Sequence, residues 1–422
     1  MFQKCSMAES VPLEVVSTTD GKITILDGGT GHELKQRGIS SDGSFFAGVL
    51  ANERNQAMVE GVHCDFLNNG CDVVTTNSFV AVPLVMRQRG WSPDDESAKQ
   101  RAQELIVASV GCAKRAAANC SGYTNTNTRG APLVAGCVPP LTECYVGSKV
   151  PNEISELVPI YRFIIEVLLA EGVDLLLAET LTTTREAIAI LQTISLICQK
   201  EKRQPSKMIQ LWISFTIDDY SPETLRSGEL LVTSIASVLD TAATLQTILC
   251  LDAIGVNCSA PYAISRAIPL VASTISIATS PSVNSTTDTT ASCHKSSIVQ
   301  KQKALLVHVP RILAYGNAFQ TTTSEWLRST NTNMNNTADS CNFINASLTT
   351  VVDKNQKQQL HSSFVVPPAT DYDKNGCMLP EVYAKYTSEW VEAGASIVGG
   401  CCGCSPRHMQ EVASKVKKMK VK

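Results

Sequence analysis

Eight short runs of consecutive apolar residues recur along this chain, at positions 23–27, 73–77, 133–137, 175–179, 211–215, 253–257, 312–314 and 397–400. Apolar residues on consecutive rather than alternating positions suit parallel strands buried on both faces. Helical periodicity is readable between them at 55–69, 97–118, 153–170, 184–199 and 406–416. Parallel neighbours need crossover connections, and eight strand-helix units imply a closed α/β architecture, the (β/α)8 TIM barrel. A length of 422 residues alone would accommodate two or three average domains. One barrel with insertions fills the same length, so a single barrel domain over residues 1–422 is expected.

Two stretches break the rhythm. Residues 276–303, between the sixth and seventh runs, and 320–363, between the seventh and eighth, are rich in Ser, Thr and Asn and poor in large apolar residues. Neither buries much surface, so both are expected to be flexible insertions rather than domains.

Net charge is −3, from 36 basic and 39 acidic residues, which gives no reason to expect nucleic-acid or anionic-membrane partners. The one cationic run, Lys415 to Lys422, reads as the solvated end of a last helix. No run approaches the ~20 apolar residues needed to span a bilayer. The first 20 residues carry no apolar stretch resembling a secretory signal, so the 16 cysteines are expected to be reduced, buried or metal-bound in a cytoplasmic protein.

In a barrel of this type the functional groups lie at the C-terminal strand ends and the loops that follow. Asp27, Thr76, Asn77, Glu179, Asn257, Cys258, Cys401 and Cys402 all fall there. Cys258 in Gly255-Val256-Asn257-Cys258, and the pair in Gly399-Gly400-Cys401-Cys402-Gly403, look like three thiolates converging on one tetrahedral zinc with a fourth position open. Adjacent strand residues point to opposite faces, so Cys401 and Cys402 can share a metal only where the strand has ended. The bland alternatives are buried hydrophobes, a vicinal disulfide, or a Cys401-x-x-Cys404 redox pair without a thioredoxin-like context. Cys404 reads as a packed neighbour, and His408 as a helix group rather than a fourth ligand.

Leu26-Asp27-Gly28-Gly29, the run from Asp72 to Phe79 (DVVTTNSF), Leu177-Ala178-Glu179-Thr180, Gly255-Val256-Asn257-Cys258 and Gly399-Gly400-Cys401-Cys402-Gly403 occur in the order seen in the homocysteine S-methyltransferase family, which the chain resembles from about residue 23 to residue 412. The resemblance implies a zinc-dependent methyltransferase of methionine biosynthesis. It implies zinc on Cys258, Cys401 and Cys402, and homocysteine contacts from Asp27, Gly28, Thr76, Asn77, Glu179 and Asn257. Asp27 and Glu179 are the acidic candidates for the substrate ammonium, and the backbone amides at Gly28 and Gly29 are candidates to hold its carboxylate. Cys404 departs from the small polar residue expected in relatives, and the chain after Tyr315-Gly316-Asn317 continues in an unfamiliar way.

A free thiol with pKa near 8.5 is a poor nucleophile at neutral pH, whereas zinc coordination removes its proton. No side-chain general base is then required, and none of the six histidines falls in a catalytic motif. The methyl donor needs a good leaving group, most simply a sulfonium, with S-methylmethionine expected ahead of S-adenosylmethionine. Betaine is the alternative donor. It calls for an aromatic cage, and Val80 offers no ring after Ser78-Phe79. A non-catalytic zinc- or homocysteine-binding barrel is the alternative from another class.

Overall fold

A computed structural model describes residues 21–39, 46–120, 130–142, 144–202, 208–245, 247, 250–280, 309–323, 325 and 367–419. The first half runs β1 (Thr24–Ile25), α1 (Thr30–Gln36), α2 (Phe46–Arg54), α3 (Gln56–Asn68), β2 (Val73–Thr75), α4 (Pro83–Gln88), α5 (Asp95–Asn119), β3 (Leu133–Val138), α6 (Ile154–Ala170) and β4 (Leu175–Leu181). The second continues α7 (Thr184–Glu201), β5 (Leu211–Phe215), α8 (Leu231–Thr244), β6 (Leu251–Asn257), α9 (Pro261–Thr279), β7 (Arg311–Gly316), α10 (Pro380–Glu392), β8 (Ile397–Gly400) and α11 (Pro406–Val416).

All eight strands are parallel, in the order β1-β8-β7-β6-β5-β4-β3-β2. A parallel bridge between Leu26 and Val73 joins the two remaining edges, so the sheet meets itself as a (β/α)8 barrel. Its interior is filled by Leu26, Val73, Leu177, Trp212, Leu313 and Ile397, while a second, larger core lies between the strands and the surrounding helices. At the N-terminal ends of the strands, Asp252 accepts from Trp212 Nε1 at 2.8 Å and pairs with Arg311 at 2.5 Å. These groups close the bottom of the barrel and leave the opposite mouth for chemistry.

Strands β5 and β8 occupy the residues expected of them, and the other six differ by one or two residues at an end. Six helices were not anticipated: α1, α2, α4, α8, α9 and α10. Helix α9 holds an internal Pro269 and a Ser/Thr-rich end whose hydroxyls bond back to their own helix. Thr274 Oγ1 reaches Leu270 O at 2.7 Å and Thr279 Oγ1 reaches Ile275 O at 2.9 Å. The stretch 276–303 therefore begins in helix, a correction of its expected boundary. Residues 281–303, and 320–363 apart from 320–323 and 325, lie outside the described residues. A second correction concerns span length. Among the described helices α9 alone is long and apolar enough to cross a membrane. Here it buries Ile264, Ile268 and Val271 in the packing between barrel and helices.

Candidate active site

Strand β6 ends at Asn257, and the next residue, Cys258, adopts a left-handed backbone with φ 51°. Its N–H donates to Tyr315 O at 3.0 Å, fixing it against the end of β7. Strand β8 ends at Gly400, and Cys401 and Cys402 follow in the turn, as two metal-facing neighbours require. Cys401 N–H donates to Gly316 O at 2.8 Å and Cys402 O accepts from Ala318 N–H at 2.8 Å. The residue before the pair must be glycine, because a Cβ on Gly400 would lie 2.4 Å from Cys404 Cβ.

The three sulfurs lie within 4.8 Å of one another, and Cys258 Sγ and Cys402 Sγ are 4.0 Å apart. Tetrahedral zinc with bonds of about 2.3 Å places ligating sulfurs about 3.8 Å apart, so the donor set and its spacing fit that ion. Hydrogen bonds from Cys401 and Cys402 hold the Cys258 thiol well below the usual cysteine range, and the same bonds push their own thiols well above it. Two further groups touch Cys258: the Tyr145 hydroxyl at 2.9 Å and Asn317 Oδ1 at 3.3 Å.

Beside the sulfurs, a polar network spans the ends of β4 to β7. Tyr315 OH lies 3.1 Å from Glu179 Oε2 and 3.0 Å from Ser214 Oγ, and Ser214 Oγ donates to Asn257 Oδ1 at 2.7 Å. Of these, the Tyr315 hydroxyl donates to the Glu179 carboxylate, the direction that favours its charged form. Burial raises the Glu179 carboxyl to about 7, with bonds from Cys137 and Tyr315 offsetting part of the rise. Burial also raises Asp27 to about 8, against hydrogen bonds from Thr75 N–H (2.8 Å) and Thr75 Oγ1 (2.9 Å) and with the Glu179 charge adding to the rise.

The other sequence-derived candidates are committed within the fold. Asn257 is fully buried; its Oδ1 accepts from Thr180 N–H and its Nδ2 donates to Thr180 Oγ1, both at 2.9 Å. It thereby fastens the ends of β4 and β6 to each other. Thr76 Oγ1 accepts from Cys137 N–H at 2.9 Å. Asn77 Nδ2 donates to Gly48 O at 2.8 Å and Asn77 O accepts from Asn52 Nδ2 at 2.7 Å, so both residues brace the second loop. A Cβ on Gly28 would lie 2.5 Å from Cys404 O, and Gly29 N–H is spent on that same carbonyl at 2.9 Å. These glycines let the first and last loops pack together, which corrects the idea that the Gly29 amide is available to a carboxylate. Cys404 is fully buried with its Sγ 3.5 Å from Gly316 O, and His408 closes the capping box of α11 through Ser405.

Sequence reading missed Tyr145, Ser214, Tyr315, Asn317 and Tyr383. Position at a strand end was a usable signal for Ser214, Tyr315 and Asn317. Tyr383 lies on α10, and its hydroxyl donates toward Gly316 O (3.0 Å) and Gly399 O (2.8 Å) while accepting from Gly316 N–H (2.9 Å), tying β7 to β8 beneath the cysteine pair.

Comparison with known proteins agrees with this geometry. Residues 24–416 match the family model for homocysteine S-methyltransferase. Homocysteine S-methyltransferase 4 of Zea mays is 23% identical over 411 residues, 94% of this chain and 90% of the relative. Homocysteine S-methyltransferase YbgG of Bacillus subtilis is 22% identical, over 94% of this chain and 96% of its own. The metallated form of the homocysteine methyltransferase MmuM from Escherichia coli superposes with a TM-score of 0.58 at 20% identity, covering 93% of this chain and 96% of that one, which shows the shared fold. With a family match across nearly all of the described barrel, this chain belongs to the homocysteine S-methyltransferase family.

Proposed function

We propose that this methyltransferase moves a methyl group from a sulfonium donor, S-methylmethionine ahead of S-adenosylmethionine, to L-homocysteine, with zinc held by Cys258, Cys401 and Cys402. The observation that carries the reading is the meeting of three sulfurs within 4.8 Å at the mouth where Glu179 and Asp27 also lie. When bound, zinc holds the substrate sulfur as a thiolate at neutral pH. In the transfer a new carbon–sulfur bond forms as the sulfonium carbon–sulfur bond breaks, its electron pair staying on the departing sulfide. Glu179, as a carboxylate, pairs with the substrate ammonium, which fixes the amino acid relative to the sulfurs. An anionic nucleophile and a cationic donor neutralise each other as the bond forms, which a site drier than bulk water favours.

Purified protein, loaded with zinc and assayed for methionine with each of S-methylmethionine, S-adenosylmethionine and betaine, tests the proposal. Turnover with S-methylmethionine is expected to exceed the other two. Betaine as the best donor would overturn the sulfonium reading; a betaine-homocysteine S-methyltransferase of Drosophila melanogaster is 29% identical over 39% of this chain.

A further inference from the structure

Of the four non-glycine residues with positive φ among those described, three surround one site: Tyr145 (71°), Thr180 (58°) and Cys258 (51°). Such backbone is costly for ordinary side chains and persists where surrounding structure imposes it. Two of the three touch directly, the Tyr145 hydroxyl lying 2.9 Å from Cys258 Sγ in a buried contact. A cysteine that ligates a metal has no proton to give, so in the loaded protein the phenol is the donor. The phenol is itself supported. The Arg226 guanidinium lies 5.9 Å from the centre of the Tyr145 ring and is held by Asp219 at 2.7 Å, with both side chains buried. Asp219 in turn accepts from Ala260 N–H at 2.7 Å, two residues beyond Cys258. The chain of contacts starts and ends at the loop that carries the sulfur. A cation over the ring draws electron density from it and strengthens the hydroxyl as a donor.

We propose that Tyr145 is a positioning residue of the metal centre, whose hydrogen bond, under the charge of Arg226, sets the rotamer of Cys258 and how much charge its sulfur gives the metal. The inference rests on the three-cysteine metal reading and adds a tuning group outside the ligand set. Removing the bond leaves the Cys258 sulfur more electron-rich and free to turn.

Cobalt(II), a spectroscopic stand-in for zinc, separates the two readings. Wild type and Tyr145→Phe are each expected to take up one cobalt per chain with sulfur-to-metal charge-transfer absorption. The band of the variant is expected at longer wavelength, because a thiolate without its donor is easier to oxidise. Its zinc affinity, measured against a chromophoric chelator, is expected to fall on the order of 10- to 100-fold, as for other groups that support metal ligands. Arg226→Lys, which keeps the charge beside Asp219 but not the planar cation, is expected to shift the band the same way by less. A variant at position 145 matching wild type in both band position and zinc affinity overturns the proposal and leaves the metal reading standing. A wild type without thiolate-to-cobalt absorption overturns the metal reading and this proposal with it.

Discussion

Asn257 grips Thr180 at two points, its Oδ1 on the Thr180 N–H and its Nδ2 on the Thr180 hydroxyl, each at 2.9 Å. Thr180 follows Glu179 and Asn257 precedes Cys258, so one amide locks the carboxylate turn to the first sulfur. Both anchored neighbours, Thr180 and Cys258, have left-handed backbone, and the double bond explains how the barrel holds two unfavourable turns side by side. Replacing Asn257 with Leu leaves the Thr180 N–H and the Ser214 hydroxyl without their partner. A loss of about 2–4 kcal/mol is expected, readable in thermal denaturation. Asn257→Asp, which keeps the acceptor, should lose less; equal losses would mean that volume and not the hydrogen bonds matters.

Each of Cys258, Cys401 and Cys402 changed to Ser should lower bound zinc well below one per chain and abolish methyl transfer, with the barrel still folded by circular dichroism. The sulfurs lie beyond the strand ends, so their loss opens no core cavity. Full turnover by any one of the three variants, with metal removed by chelation, would count decisively against the assignment.

Glu179→Gln should weaken homocysteine binding by roughly 1.5–3 kcal/mol, the scale of a charge-assisted hydrogen bond, without changing metal content. Binding of 3-mercaptopropionate, which lacks the ammonium, should be little affected. If both thiols lose affinity equally, Glu179 is a structural member of the Tyr315 network and not a contact for the amino group.

Tyr383→Phe removes one hydroxyl that serves three backbone groups at the ends of β7 and β8. Stability is expected to fall by about 1–3 kcal/mol, with a weaker zinc site above the loosened turn. Titration with a competing chelator reads the second effect; unchanged affinity would show that the Cys401-Cys402 turn holds its shape without this anchor.

His63 on α3 is fully buried, with neither ring nitrogen hydrogen-bonded, and burial lowers its pKa to about 4. The unfolded chain, with an ordinary value near 6.5, binds the proton first as pH falls. Stability contributed by the neutral ring is therefore complete above pH 6.5 and declines towards pH 4, by up to roughly 3 kcal/mol. His63→Phe should flatten that part of the stability–pH curve; a slope unchanged by the substitution would place its source elsewhere.

The barrel was legible because parallel strands buried on both faces need apolar residues in unbroken runs, and eight such runs are hard to arrange otherwise. Helices α8 and α9 were not, since Thr and Ser in their sequences look like loop residues until their hydroxyls are seen bonding back to the helix. The three cysteines could be read from their glycine context. Asn257 was singled out as well, but its bonds to Thr180 and Ser214 join strands far apart in the chain and leave no mark in the sequence. Tyr145 carried no signal at all. Its place beside Cys258, 113 residues away in sequence, depends on a left-handed turn and on a buried arginine from the loop after β5.

The packing of the first loop on the last, with Gly28 and Gly29 pressed against the Cys401–Cys404 turn, has a consequence for the order of assembly. During synthesis the first seven strands emerge with only one of the three thiols. Of the three proposed ligands a nascent chain therefore holds one until β8 has left the ribosome and closed against β1. On the proposed metal reading, capture by all three cysteines becomes a mark of a finished barrel, and a chain stopped short of residue 401 should neither hold the ion tightly nor be protected by it.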